Sequence, residues 1–434
     1  MRNILQQRGL RLIFTANVIS MLGSGLNAAG VTWYVLQATH SETALGTMLM
    51  LQTIPALFML PFTGVMIDRE DRRRLVMVLD AARGIVVLVV AILAFMGMAK
   101  LWEVYLMSIL VAAGFWMFWP TMTALIQELT PEAEFAQSNS FILAGFQGGW
   151  LIAGAIVGFV YNRIGLGGVL FIDFITYVLS FSCYLFVRKG RHVVAKPPSD
   201  VQHESEFARF VHELREGIAY IKVRPRLLLL GSTWALFIGG MLTQGIITAP
   251  FSDRILHAGA VGYGWLNSGW AVGACSFAFL APRLLKGTGH RVAIGVSMAV
   301  MGAGLIALPF VGAHLHLPIN FVLFKVAAGL VAAVAIYCLM GCGRAIGGVA
   351  ITTGMMEMVP KHFMGRVQNT FYFAGTCLQL VFSLMVGTVA HKRSLAEGFA
   401  MVGGLYLLAC VAGTWPAREG EPDAASNAMT AAGD

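Results

Sequence analysis

Residues 64–80 read GVMIDREDRRRLVMVLD, and every position from Asp68 to Arg74 in that stretch is charged. On either side lie apolar runs at 44–67 and 75–98, each longer than the roughly 20 residues that carry a helix across the hydrocarbon of a bilayer. Charges at that density do not enter lipid, and apolar runs of that length are not stable in water. The stretch therefore reads as the polar turn between two membrane-spanning helices.

Ten more apolar segments fall at 11–37, 102–126, 137–161, 168–187, 227–250, 260–285, 292–312, 319–356, 366–390 and 395–415, making twelve spans. Composition points the same way. Of 434 residues 57% are apolar and 12% charged, against about 45–50% and about 25% in a soluble domain. The mean hydropathy is +0.74. A water-soluble globular protein is excluded, and 49 glycines suit helices packed backbone to backbone in lipid. The segment 319–356 is too long for a simple crossing; either it is strongly tilted or its first part, from Pro318 to about Ala328, belongs to an external loop or re-entrant piece. The six cysteines sit in apolar stretches without a CxxC pair, so neither a disulfide framework nor a metal site is expected.

The net charge of +8 is a matter of topology. With the N-terminus in the cytoplasm, 22 of the 30 basic residues fall on that side, and only Lys100, Arg163, Arg254, Lys392 and Arg393 fall on the other. Such asymmetry orients a bundle with both termini inside and gives no reason to expect nucleic acid as a partner.

The longest polar stretch, 188–226, divides the chain into a first six-helix unit at 1–187 and a second at 227–415, with a disordered tail at 416–434. Within it Phe207, Phe210, Val211, Leu214, Ile218 and Ile221 form a helical stripe, which predicts an amphipathic helix on the inner membrane surface or against the bundle. The two units echo each other. Glu128 and Pro131 match Glu357 and Pro360 at one offset, and Asn139 with Phe141 match Asn369 with Phe371 after one inserted residue, as in a parallel duplication of six spans.

Polar residues inside the spans are the candidate functional groups. Asn17, Ser20, Ser24 and Asn27 share one face of the first span, to be divided between interhelical hydrogen bonding and a substrate lining. Trp116 and Trp119 are mid-span in the fourth segment, and Trp234 and Gln244 lie in the seventh. Asp80 and Arg83 are spaced to pair along one helix, and Asp173 stands near the outer end of the sixth span as either a structural carboxylate or a protonation site. No GxxxxGK[ST], HExxH or GxSxG occurs, so neither ATP hydrolysis nor another enzymatic activity is expected.

In the loop after the second span, Gly64 followed by Asp68-Arg69 and then Arg72, Arg73 and Arg74 resembles the signature of the major facilitator superfamily. Segments 171–181 and 216–227 are similar to its drug-exporter branch, which includes macrolide efflux proteins and the enterobactin exporter. The resemblance implies an all-α integral membrane protein of twelve helices in two pseudo-symmetric six-helix bundles. It also implies alternating access, with Asp68 contacting the start of the eleventh span at Gly365 and Arg366, and it places Arg344 on the central cavity. Two departures are visible: the fourth span carries no Arg, and the fifth no Gly-Pro pair.

The function so implied is secondary active export of an amphiphilic drug-like, macrolide-like or siderophore-like molecule, coupled to proton influx with Asp80 and Asp173 as candidate proton sites. Its partners would be the small-molecule substrate, the proton and membrane lipid, with no cofactor. A monomer in the bacterial inner membrane is expected. The alternatives are a lipid or lysophospholipid flippase, a facilitator for a native metabolite and, more remotely, a non-transporting sensor.

Overall fold

Helices that are apolar on all sides have no interior face to seek in water, and the outer surface shows it. In the computed structural model Phe58, Val78, Trp102, Leu339 and Leu408 are all turned outward and exposed, forming a lipid-facing belt. The structure describes residues 8–130, 135–187, 206–278, 280–314, 318–321 and 324–416.

Four helices open the chain: α1 (Arg8–Thr39), α2 (Glu42–Arg69), α3 (Arg72–Phe95) and α4 (Leu101–Leu129). Asp71 caps α3, its carboxylate accepting from the Arg74 amide at 3.2 Å. The fifth and sixth spans form one continuous run, α5 (Phe135–Leu185), broken in direction at Gly165, whose φ of 64° is open to glycine but costly for other residues. The amphipathic helix α6 (Glu206–Lys222) follows, then α7 (Pro225–Ile255), α8 (Gly259–Ala278), a short α9 (Ala281–Thr288) and α10 (His290–His314). The long tenth segment resolves into an antiparallel hairpin, β1 (Pro318–Phe321) with β2 (Phe324–Ala327), and a helix α11 (Ala328–Met358). The chain ends with α12 (Lys361–Lys392) and α13 (Leu395–Thr414).

Among the described residues nine helices are long and apolar enough to cross a membrane, and one of them, Gly148–Leu185, turns at Gly165 and holds two crossings. With α2 and α8, of 28 and 20 residues, this gives the twelve crossings of the fold.

Packing follows the duplication. Within the first set α2 and α3 lie on α4 and α1 lies on α5, as within the second α8 and α10 lie on α11 and α7 lies on α12. Between the sets the principal contacts are α2 with α12 and α5 with α8, a reciprocal pairing of second and fifth crossings. α6 packs on the bundle, burying Gly217 and Ile221 against α12. The ends of the bundle are named here by α6: the linker end carries it, and the far end carries the turns at 40–41, 256–258 and 393–394.

Candidate functional site

Charges buried in a bundle need partners, and those of the first set find them locally. Arg83 reaches back one turn to Asp80, whose other oxygen accepts from the Ser180 hydroxyl at 2.7 Å. The guanidinium is stacked between Phe118 and Tyr177, 4.3 and 4.8 Å from the ring centres. Gly114 leaves room for its stem: an added Cβ would lie 2.7 Å from Arg83 Cγ. Asp173, wholly buried, accepts from the Asn27 amide at 2.6 Å, and Thr176 donates to the Asp173 backbone carbonyl at 2.7 Å.

The polar face of α1 is therefore a seam against α5. Asn17 and Ser20 are fully buried there, Ser24 lies beside the Tyr177 hydroxyl, and Asn27 is committed to Asp173. Of its two sequence readings, interhelical bonding describes Asn27, and burial removes Asn17 and Ser20 from any open lining.

A second ionic group, not singled out by sequence, joins the two sets at the far end. Glu42, at the start of α2, is wholly buried, yet its partners stand at the surface. Arg254 of α7 donates to Oε1 at 2.5 Å and to the His40 carbonyl at 2.8 Å, and His391 of α12 lies 3.1 Å from Oε2. The side chains of Arg254 and His391 are 41% and 42% exposed. The geometry depends on a π-turn at Phe251–Ile255, immediately after Pro250, which swings Arg254 off the regular helical path. Around this group the backbones nearly touch: a Cβ on Gly387 would sit 2.7 Å from the Glu42 carbonyl, one on Gly46 would collide with the Ser383 carbonyl, and one on Gly158 with the backbone of Val261. Close approach at these glycines shuts the far end.

In the second set Arg344 stands midway along α11, half-buried, with Nε 3.3 Å from the Met241 thioether of α7. Trp234 packs on Phe237 in α7, its indole Nε1 lacking an acceptor among the described residues, and Gln244 is buried beside Tyr337. Between the sets the Trp116 ring meets Tyr372 of α12 edge-on, centroids 6.0 Å apart, while Trp119 is half-buried one turn away.

The charged turn is described only in part. Arg72 donates to the Ala124 carbonyl at 3.2 Å and lies 3.8 Å from Glu128, and Arg73 donates to the carbonyls of Tyr184 and Leu185 at 2.8 and 2.6 Å. Arg366 pairs with Glu216 of α6 at 2.7 Å. The expected contacts of Gly64, Asp68, Arg69 and Gly365 lie outside the residues whose side chains are described.

Two reciprocal six-helix sets meeting at a small-residue seam match a known family: the Major Facilitator Superfamily model covers residues 13–383. The chain belongs to the Major Facilitator Superfamily. It is a multi-pass membrane transporter of that superfamily, 25% identical over 377 residues to YkuC of Bacillus subtilis, called an uncharacterized MFS-type transporter, with 85% of this chain and 82% of that one covered. Macrolide efflux protein A of Streptococcus pyogenes is 23% identical over 228 residues, covering 52% of this chain and 55% of that protein. Among solved structures, a POT family transporter in complex with 5-aminolevulinic acid aligns at a TM-score of 0.72 with 14% identity, covering 93% of this chain and 95% of the other. The nucleoside transporter NupG aligns at 0.66 with 13% identity, covering 93% and 98%. At these identities the structures speak for the fold alone.

Proposed function

We propose that this superfamily member exports an amphiphilic small molecule from the cytoplasm by alternating access, driven by proton influx, with the linker end cytoplasmic. The observation that carries the reading is the far-end seam. Beside the apolar contacts that the two sets share there, this seam is pinned by a buried carboxylate, Glu42, whose partners Arg254 and His391 are already partly in contact with water. Separation there, with closure at the linker end, is the motion alternating access requires. Macrolide efflux in a relative of 23% identity supports an amphiphilic substrate. The half-buried aromatic rings of Trp116, Tyr372 and Trp234 suit such a solute.

Proton coupling fits Glu42 better than the two acids first considered. Asp80 and Asp173 are bonded wholly within the first set, so a proton on either would be felt there; a proton on Glu42 would release α7 and α12 from α2. Asp68 remains the proposed latch at the other end.

The test is accumulation of macrolides, dyes and siderophores in an efflux-deficient bacterial host, with and without a protonophore, for wild type and Asp68→Asn. Lower accumulation only in energised wild-type cells is the expected result. No difference for any compound, with the protein folded in the membrane, would overturn export of this class and make a lipid-flipping assay in proteoliposomes the next measurement.

A further inference from the structure

Arg344 is a mid-membrane cation without an anion. No carboxylate lies within 4.0 Å of it among the described residues, and its titratable neighbours are the Tyr406 hydroxyl and the Cys275 thiol, both neutral near pH 7. Among the described residues its one side-chain hydrogen bond goes to the Met241 sulfur, a weak acceptor that leaves most of the guanidinium donors without a strong partner there.

The direction of the side chain is fixed by its helix. Val331 and Leu339 mark the lipid-facing side of α11, and Arg344 lies about 140° around the helix from Leu339 at roughly 100° per residue. One turn further on, Gly348 shares that inward side, and a Cβ placed there would meet nothing within 4 Å. Arg344 and Gly348 therefore share the side of α11 turned away from Leu339, with open space at Gly348. The buried anions elsewhere are already committed: Asp80 to Arg83 and Ser180, Asp173 to Asn27, and Glu42 to Arg254 and His391.

A half-buried, forked donor beside open space, with no counter-charge among the described residues, suits an acid from outside the chain. We infer that the transported amphiphile carries an anionic head group, a carboxylate or phosphate, which docks on Arg344 from the space beside Gly348 while its apolar body lies along the aromatic side chains of α7. The inference rests on the export reading for the existence of a substrate, and adds the sign of its charge. A cationic amphiphile would meet like charge at this point.

The test uses the purified full-length protein in nanodiscs, with empty nanodiscs as blank and equilibrium dialysis of three tritiated probes of one shape: 2-naphthoate, 2-naphthamide and 2-naphthylmethylammonium. Wild type should bind the naphthoate about tenfold or more tightly than either of the others, the gain expected of one charge-assisted contact. R344Q should abolish that preference, R344E should favour the ammonium probe, and R344K should retain the preference for the anion. Naphthoate, but not naphthamide, should also protect Arg344 of the wild type from phenylglyoxal, a readout that needs no variant to fold. Equal binding of acid and amide, no saturable binding of the acid, or a preference surviving in R344Q would each overturn the inference. Binding does not depend on turnover. Anion binding by a protein that exports nothing would defeat only the export reading, and export of cations by R344Q at the wild-type rate would defeat only this one.

Discussion

Glu42→Gln removes one charge and keeps the shape, so it isolates what holds the far end shut. Two charge-assisted contacts are lost, to Arg254 at 2.5 Å and His391 at 3.1 Å. A contact of that kind contributes about 1.5–3 kcal/mol when fully buried. Both partners are about two-fifths exposed, however, so water recovers much of what they lose, and the glutamine still accepts a hydrogen bond. A net loss of about 1–2 kcal/mol follows, which shifts a two-state equilibrium about 5–30-fold toward opening at the far end. Arg254→Gln should act more strongly although it removes a more exposed residue, because it leaves a wholly buried carboxylate with His391 alone. The measurement is a spin-label distance distribution between Lys100 and Lys392, exposed positions near far-end turns of the two sets, on a cysteine-free background. A long-distance population should grow in the order wild type, Glu42→Gln, Arg254→Gln. An unchanged distribution in both variants would show that the glycine seam, and not this ionic group, keeps the end closed.

Three further outcomes follow from the packing. Asp80→Ala leaves Arg83 unpaired at 1% side-chain exposure and should cost about 3–5 kcal/mol, read as a lower thermal midpoint in detergent; the double change Asp80→Leu with Arg83→Met should recover most of it. Gly158→Leu sets a side chain against the Val261 backbone and should slow transport at least about tenfold while the protein stays monodisperse, since a shift of about 1.4 kcal/mol is already a factor of ten; wild-type turnover would show that the seam has slack. Asp173→Asn should keep its bond with Asn27 and leave proton-driven transport intact, whereas Asp173→Ala strands a buried amide and should destabilise by about 1–3 kcal/mol; loss of coupling in Asp173→Asn would return the proton site to Asp173.

What could be read along the chain was whatever lies close together in it. The twelve crossings, the amphipathic α6 and the Asp80–Arg83 pair depend on apolar runs, a helical stripe and a three-residue spacing, all local patterns. The break at Gly165 falls in the gap between the apolar runs at 137–161 and 168–187, where the backbone takes a non-helical conformation with a φ of 64° that suits glycine. The paired strands at 318–321 and 324–327 set the first part of the overlong tenth segment apart from its helix, in place of one strongly tilted crossing. Asn27 was legible as one member of a polar stripe, but its acid is 146 residues away. Glu42 was passed over because it resembles an ordinary acidic residue in the first turn of a helix, and its partners lie 212 and 349 residues further on. Its one local signal is isolation, an acid heading an apolar run with no Lys or Arg beside it.

The distribution of these polar groups separates what must stay fixed from what must move. Asp80, Arg83, Ser180, Asp173 and Asn27 are bonded within the first set and shielded from water, where breaking any contact leaves a stranded charge or amide; such networks hold helices in one register. Across the seam the chemistry is different, with glycine-lined backbone contacts and, among the described residues, a single carboxylate whose partners Arg254 and His391 keep one side in water. Opening there separates an apolar cluster shared by the two sets and rehydrates Glu42, whose partners Arg254 and His391 are already partly in water. On the proposed alternating access, the motion is a rigid-body rocking that leaves the polar network inside the first set intact. Arg344 belongs to neither class: it is in the membrane like the first group and lacks an anionic partner unlike both, and a bound acid would neutralise it in whichever state the bundle adopts.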